Sequence, residues 1–279
     1  MCIGRRLAPL ALVLALAGCS RGPTPTGAVV VGPRPLDAPP VDSAPVDAAP
    51  VDAAVVIEPP STNEVHAPRA IAPAMGFGGA SWLDRPEREK TEQPEKALDA
   101  LAIAPGLVVA DVGAGTGYFT LRIARRVGPE GHVVATDIEP RMLAVLADRA
   151  AKAHLANIET RVVTSDDPRL DPASLDLVLM VDVYHELAHP QAELAAVKRA
   201  LRPGGRLALI EYRGEDPKVA IRPEHKMTRA QVEAEVLPAG YVELEDFEAL
   251  RDQRILVFTP RLVDRPRSNS SLGGAPSIP

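Results

Sequence analysis

One short segment limits what this chain can fold into. Asp111-Val112-Gly113-Ala114-Gly115-Thr116-Gly117 brings three glycines together. Just before it, Leu107-Val108-Val109-Ala110 is a continuous apolar run, suited to a strand buried on both faces. Just after it, Phe119, Ile123 and Val127 recur at steps of four, the spacing of one helix face. Strand, tight turn and helix in that order begin a βαβ unit.

The same alternation continues downstream. His132–Thr136 reads as a second strand, and Pro140 sits where a first-turn proline belongs. Leu143, Leu146, Ala147 and Ala150 mark the apolar face of the helix that follows. Ile158–Val163 and Leu175–Val181 read as strands three and four. Leu194, Val197 and Leu201 predict a helix stopped by Pro203-Gly204-Gly205, and Leu207–Ile210 a fifth strand. After a helix near Thr228–Leu237, Tyr241–Phe247 and Gln253–Phe258 suit an antiparallel hairpin across Glu248–Asp252. The expected fold is α/β: a Rossmann-like, doubly wound, mostly parallel seven-stranded sheet with a C-terminal antiparallel hairpin.

In such a sheet, ligands bind beyond the carboxyl ends of the strands, where the glycine turn lies. A dinucleotide loop places its last glycine three residues after the second. Here that place holds Tyr118, and the third glycine comes early, at 117. Asp137 ends strand two, where a carboxylate can accept both hydroxyls of a ribose; alone it reads more readily as the cap of the next helix, and the glycine loop at matched spacing turns the reading to ribose.

This pattern resembles motif I of the class I S-adenosylmethionine-dependent methyltransferases. Gly106, Val109, Asp137, the run Leu201-Arg202-Pro203-Gly204-Gly205-Arg206-Leu207 and the terminal hairpin match that family. Trp82-Leu83-Asp84-Arg85-Pro86-Glu87-Arg88-Glu89 resembles the lead-in of members near the ubiquinone/menaquinone type. The resemblance implies S-adenosyl-L-methionine as cofactor. It places Asp111, Gly113 and Gly115 around the methionine part, with Ala114 and Gly117 completing the loop. It sets Asp137 on the ribose, Ile138 on one adenine face and Ser165 and Asp166 at the adenine edge, and counts Asp182 with the cofactor set. The family's usual Gly-Asp pair is replaced here by Thr164-Ser165-Asp166-Asp167.

Asp182, Tyr184 and His185 fall at the carboxyl edge of strand four, beside the expected methyl. His185 is the candidate catalytic base, oriented by Glu186 or Asp182; the plainer alternative is that it shapes the pocket. Tyr184, His185, Glu211 and Tyr212 are the expected acceptor pocket. His225, in a Pro-rich connection, reads as a solvated loop histidine. His132, His154, His185, His189 and His225 show no ligand spacing on one predicted face, because Pro190 breaks a helix between His185 and His189; no metal is expected.

The N-terminus carries Arg5 and Arg6, then an apolar run from Leu7 to Ala17 that is too short for a bilayer. Leu16-Ala17-Gly18-Cys19 resembles the lipobox of bacterial lipoproteins, implying a signal peptide at 1–18 and acylation of Cys19. Ser20 in place of Asp favours the outer membrane. Residues 19–75 read as a Pro/Ala/Asp-rich disordered tether: 12 of the 29 prolines lie between 21 and 75, and Pro-Val-Asp recurs at 40, 45 and 50. The methyltransferase domain is expected at 76–260 and a disordered tail at 261–279. The net charge of −6 argues against a nucleic-acid partner. The expected partners are a small-molecule acceptor and, through Cys19 alone, a membrane. Two rival readings stay open: a non-catalytic cofactor- or metabolite-binding lipoprotein module, and an NAD(P)-dependent oxidoreductase. Export also conflicts with a cofactor made in the cytosol; a start at Met75 would give a cytoplasmic domain.

Overall fold

The computed structural model describes residues 69–165, 167–248 and 250–261. The expected signal peptide, Cys19, most of the tether, nearly all of the tail, and Asp166 lie outside the described residues. Seven strands form one sheet: β1 Val108–Val112, β2 His132–Asp137, β3 Ile158–Val162, β4 Leu175–Val181, β5 Leu201–Tyr212, β6 Tyr241–Phe247 and β7 Gln253–Pro260. Their order is β3-β2-β1-β4-β5-β7-β6. Strands β1 to β5 pair in parallel, while β7 runs antiparallel to both β5 and β6. The expected architecture is thus the observed one.

Burial on both faces explains the unbroken apolar strands. Successive side chains of a strand point to opposite faces. Val109, Leu177, Leu179 and Ala208 pack beneath α3 (Pro94–Ala100) and α4 (Thr120–Val127). Their neighbours Ala110, Val178, Met180 and Leu209 join the opposite core with α6 (Pro190–Ala200) and α7 (Arg229–Val236). Helix α5 (Pro140–Lys152) buries Met142, Leu143, Leu146 and Ala150. Thr228 caps α7 through a reciprocal bond with Gln231. Among the described residues, no helix is long and apolar enough to cross a membrane.

Three boundaries differ from expectation. Helix α6 stops at Ala200, so Leu201 opens β5 and pairs with Leu175; the Pro-Gly-Gly run lies inside that strand, across a register shift, rather than past a helix end. Pro190 starts α6 instead of breaking a helix, its missing N–H being one that a first turn leaves unpaired anyway. Ordered contacts also begin before residue 76. The Arg69 guanidinium donates to the carbonyls of His185 (2.8 Å), Tyr184 (3.1 Å) and Leu187 (3.3 Å), and Ala72, 2% exposed, donates its N–H to His185 O. Two short helices, α1 (Ala80–Leu83) and α2 (Arg88–Thr91), continue this lead-in.

Candidate active site

Strand order reverses between β1 and β4, and a cavity of about 520 Å³ opens beyond their carboxyl ends. One end is made by the glycine loop. Gly113 (φ +71°) and Gly117 (φ +88°) adopt backbone that L side chains avoid, and a Cβ on either would strike Val183 or Leu146. The loop's amides are already committed. Gly113 and Ala114 donate to Thr136 O (2.8 and 2.9 Å), Gly115 to Asp137 Oδ2 (2.8 Å) and Gly117 to Ala114 O (3.0 Å). A dinucleotide loop must turn such amides toward a pyrophosphate. Four of the amides here turn elsewhere, so geometry as well as spacing weighs against the oxidoreductase reading.

Asp137 faces the cavity with one backbone donor on each oxygen, the second being Glu139 N–H at 2.8 Å. A carboxylate has about four lone-pair sites, so capacity remains for a diol. The cap of α5 is Glu139, not Asp137. Burial raises the Asp137 pKa against the pull of its amide donors. Ile138, 47% exposed, presents an apolar wall, and Ser165 also lines the cavity. Ala114 is buried behind the loop. Asp111 does not reach the cavity wall: it is 3% exposed and accepts the Thr120 hydroxyl at 2.6 Å. Burial lifts its pKa to about 6, with the Thr120 bond opposing.

The other end is made by side chains from three segments. His185, in a 3₁₀ turn after β4, points Nδ1 at Glu211 Oε2 (2.6 Å) and Nε2 at His225 Nδ1 (3.2 Å). Burial alone would lower the imidazole pKa; the Glu211 carboxylate more than offsets it and raises it to about 9. His225, expected to be solvated, is partly buried because the 3₁₀ turn Pro223–His225 folds back over this end. Burial, then the charge on His185, lowers its pKa. Glu186 stands beside them, lifted to about 7 by burial. The three form a donor cluster that sequence spacing did not show.

Tyr184 is not a pocket wall as expected: it is fully buried in the core, because the turn sends it away from His185. Glu211 supports His185 from behind rather than lining the cavity. Tyr212 does line it, and its hydroxyl donates to Glu92 (3.0 Å). Asp182 lines it too, with φ +53°, and accepts Gln253 Nε2 on both oxygens. Burial first, then nearby Glu92 and Glu211, raise its pKa well above the usual range. The roof was missed from sequence: Arg88, 5% exposed, and Arg85 clamp Glu92, 1% exposed, each at 2.7 Å. Only the lead-in resemblance pointed there.

Comparison with known proteins agrees with this geometry. Residues 109–205 match the model of a methyltransferase domain. The arsenite methyltransferase of Halobacterium salinarum is 33% identical over 110 residues, covering 39% of this chain and 28% of that protein. The ubiquinone/menaquinone biosynthesis C-methyltransferase of Bordetella parapertussis is 33% identical over 111 residues, covering 40% and 43%. The chain spans about half or less of the length of the curated relatives it matches. A SAM-dependent methyltransferase structure from Aquifex aeolicus superposes with a TM-score of 0.62 at 26% identity, covering 65% of this chain and 96% of that one. Family and fold together imply S-adenosyl-L-methionine as the cofactor, and the committed loop amides, the Asp137 carboxylate and the Ile138 wall suit it. The chain thus carries a domain of the class I S-adenosylmethionine-dependent methyltransferase family.

Proposed function

We propose that this domain transfers the methyl group of S-adenosylmethionine to a small-molecule acceptor entering the His185 end. The observation that carries the reading is the continuity of one cavity from Gly113, Gly115 and Asp137 to His185, Tyr212 and His225. Its size lies in the range of small-ligand pockets. When bound, the cofactor supplies a methyl already activated as an electrophile. The chain's residues have to hold and align the reactants and keep out water. Asp137 is placed to take the ribose hydroxyls and Ile138 to cover the adenine. The Arg85–Glu92–Arg88 clamp holds the roof closed over the centre. His185, fixed through Nδ1 by Glu211, is the group placed to exchange a proton when the acceptor's nucleophile carries one.

Titrating the full chain with S-adenosylmethionine tests the first half. Saturable heat is expected at sub-millimolar cofactor, and none at millimolar cofactor would sink the reading. Labelled methyl should then pass into the low-molecular-weight fraction of a cell extract, and Asp137→Ala should lower that transfer sharply when cofactor is limiting. A chain that binds cofactor through Asp137 but labels no product is a binding module instead.

We also propose that the chain is exported and held in the cell envelope by acylated Cys19, probed by mass analysis of the native N-terminus. A diacylglyceryl-Cys19 is expected, and an intact Met1 would overturn the proposal. The contacts of Arg69 and Ala72 favour a domain that includes the residues just before Met75.

A further inference from the structure

We infer that the acceptor end holds a divalent cation of the zinc type, on His185 Nε2, His225 Nδ1 and the Glu186 carboxylate. One ligand atom from each of these residues lies within 4.8 Å of the others. The two imidazole nitrogens are 3.2 Å apart, with ring planes at 86°. Two nitrogens bound to one zinc at 2.0–2.1 Å with a tetrahedral angle lie about 3.3 Å apart. The spacing of the pair is therefore that of two ligands on one ion. The same 3.2 Å also suits an N–H···N hydrogen bond, so an ion would enter by displacing the proton the two imidazoles share.

The surroundings match a metal site in three further ways. Glu211 Oε2, 2.6 Å from His185 Nδ1, fixes the tautomer that leaves Nε2 as the ligand, the carboxylate–histidine support typical of bound metals. The Met75 N–H bonds to Glu186, so the lead-in segment helps place the third donor. Arg69 pins the carbonyls of Tyr184 and His185, holding the turn that carries two of the three ligands. Two imidazoles and one carboxylate suit zinc better than magnesium or calcium, which prefer all-oxygen shells. Three protein ligands leave the fourth position for water or substrate. All three residues line the same cavity as Gly113 and Asp137. The inference rests on donor geometry and leaves cofactor binding untouched, but an ion on His185 Nε2 would take the place of that nitrogen in the proton role proposed above.

The test is calorimetric titration of the metal-stripped full chain with Zn²⁺ alone. Cys2 and Cys19, the two thiols of the sequence, are replaced by Ala so that neither competes. One equivalent should bind at micromolar or tighter affinity. His225→Ala and Glu186→Gln should each weaken it at least tenfold, and His132→Ala, at the amino end of β2 away from the cavity, should leave it unchanged. Cofactor titration and thermal unfolding of each variant confirm that it is folded. His225 and Glu186 sit in short 3₁₀ turns, so their loss should leave both readouts near wild type. Absence of saturable zinc binding at 100 µM metal, or equal affinity in His225→Ala and His132→Ala, would overturn the inference. Lost cofactor binding with zinc binding intact would count only against the methyltransferase reading.

Discussion

At the cofactor end the cavity wall is largely backbone. Four loop amides are tied down within eight residues of chain or to the neighbouring strand, and one carboxylate, Asp137, locks the arrangement. At the acceptor end the wall is side chain. His185, Glu211 and His225 come from separate segments and meet only because β4 lies beside β5 and the Pro223–His225 turn folds over both. A wall of backbone tolerates side-chain change but not added bulk. A wall of side chains behaves in the opposite way. The two ends should therefore answer differently to substitution.

The largest effect is expected at Gly113. Alanine there meets both a left-handed φ and the Val183 side chain. Left-handed backbone costs roughly 1–2 kcal/mol and overpacking 1–3 kcal/mol, so about 3 kcal/mol of stability should be lost in urea unfolding. Cofactor binding should fall with it. A variant of wild-type stability would mean that the loop yields, and the contrast between rigid and adaptable ends would fail.

The next effect is a pH slope. Asp111 is lifted from 3.8 to about 6, mainly by burial, with Asp137 adding to the rise and Arg88 and Thr120 opposing it. Between those values the folded chain holds a proton that the unfolded chain has released. Its contribution to stability is therefore complete below pH 3.8 and is lost as pH rises through 6. The buried charge then costs roughly 2–3 kcal/mol at pH 7.5. Asp111→Asn keeps an acceptor for Thr120. It should match wild type near pH 4 and exceed it at pH 7.5, with cofactor affinity unchanged. A large drop in affinity would instead put Asp111 in contact with the methionine part.

The cofactor end was legible in the sequence because its parts are contiguous: glycines at fixed offsets, a buried strand before them, a helix stripe after them, and a carboxylate at the end of the next strand. The acceptor end was not, since no period links residues 185, 211 and 225. The Arg85–Glu92–Arg88 roof was equally silent, as three charged residues in a polar stretch look like a solvated face until burial is known. Leu201 fitted the helix stripe of α6, yet pairing with Leu175 placed it in β5; tertiary pairing overrode the local period.

Asp137→Ala should weaken cofactor binding by about 10–100-fold, the worth of one or two charged hydrogen bonds. It should leave zinc affinity within a factor of about two. Equal losses at both sites would show that the glycine loop shapes the acceptor end as well.

The smallest effect separates the ends from the other side. Arg69 is the latch of the acceptor end: its guanidinium serves three carbonyls of the turn carrying His185 and pairs with Glu235 at 2.8 Å, its side chain 7% exposed. Arg69→Ala leaves those carbonyls to find water in a partly closed site, at a cost of about 1–2 kcal/mol. The glycine loop does not touch this latch. Thermal unfolding should shift down modestly, zinc affinity should fall several-fold, and cofactor affinity should hold. If cofactor affinity fell as far as zinc affinity, the lead-in from Arg69 would be organising the whole cavity, and its two ends would have to be treated as one site.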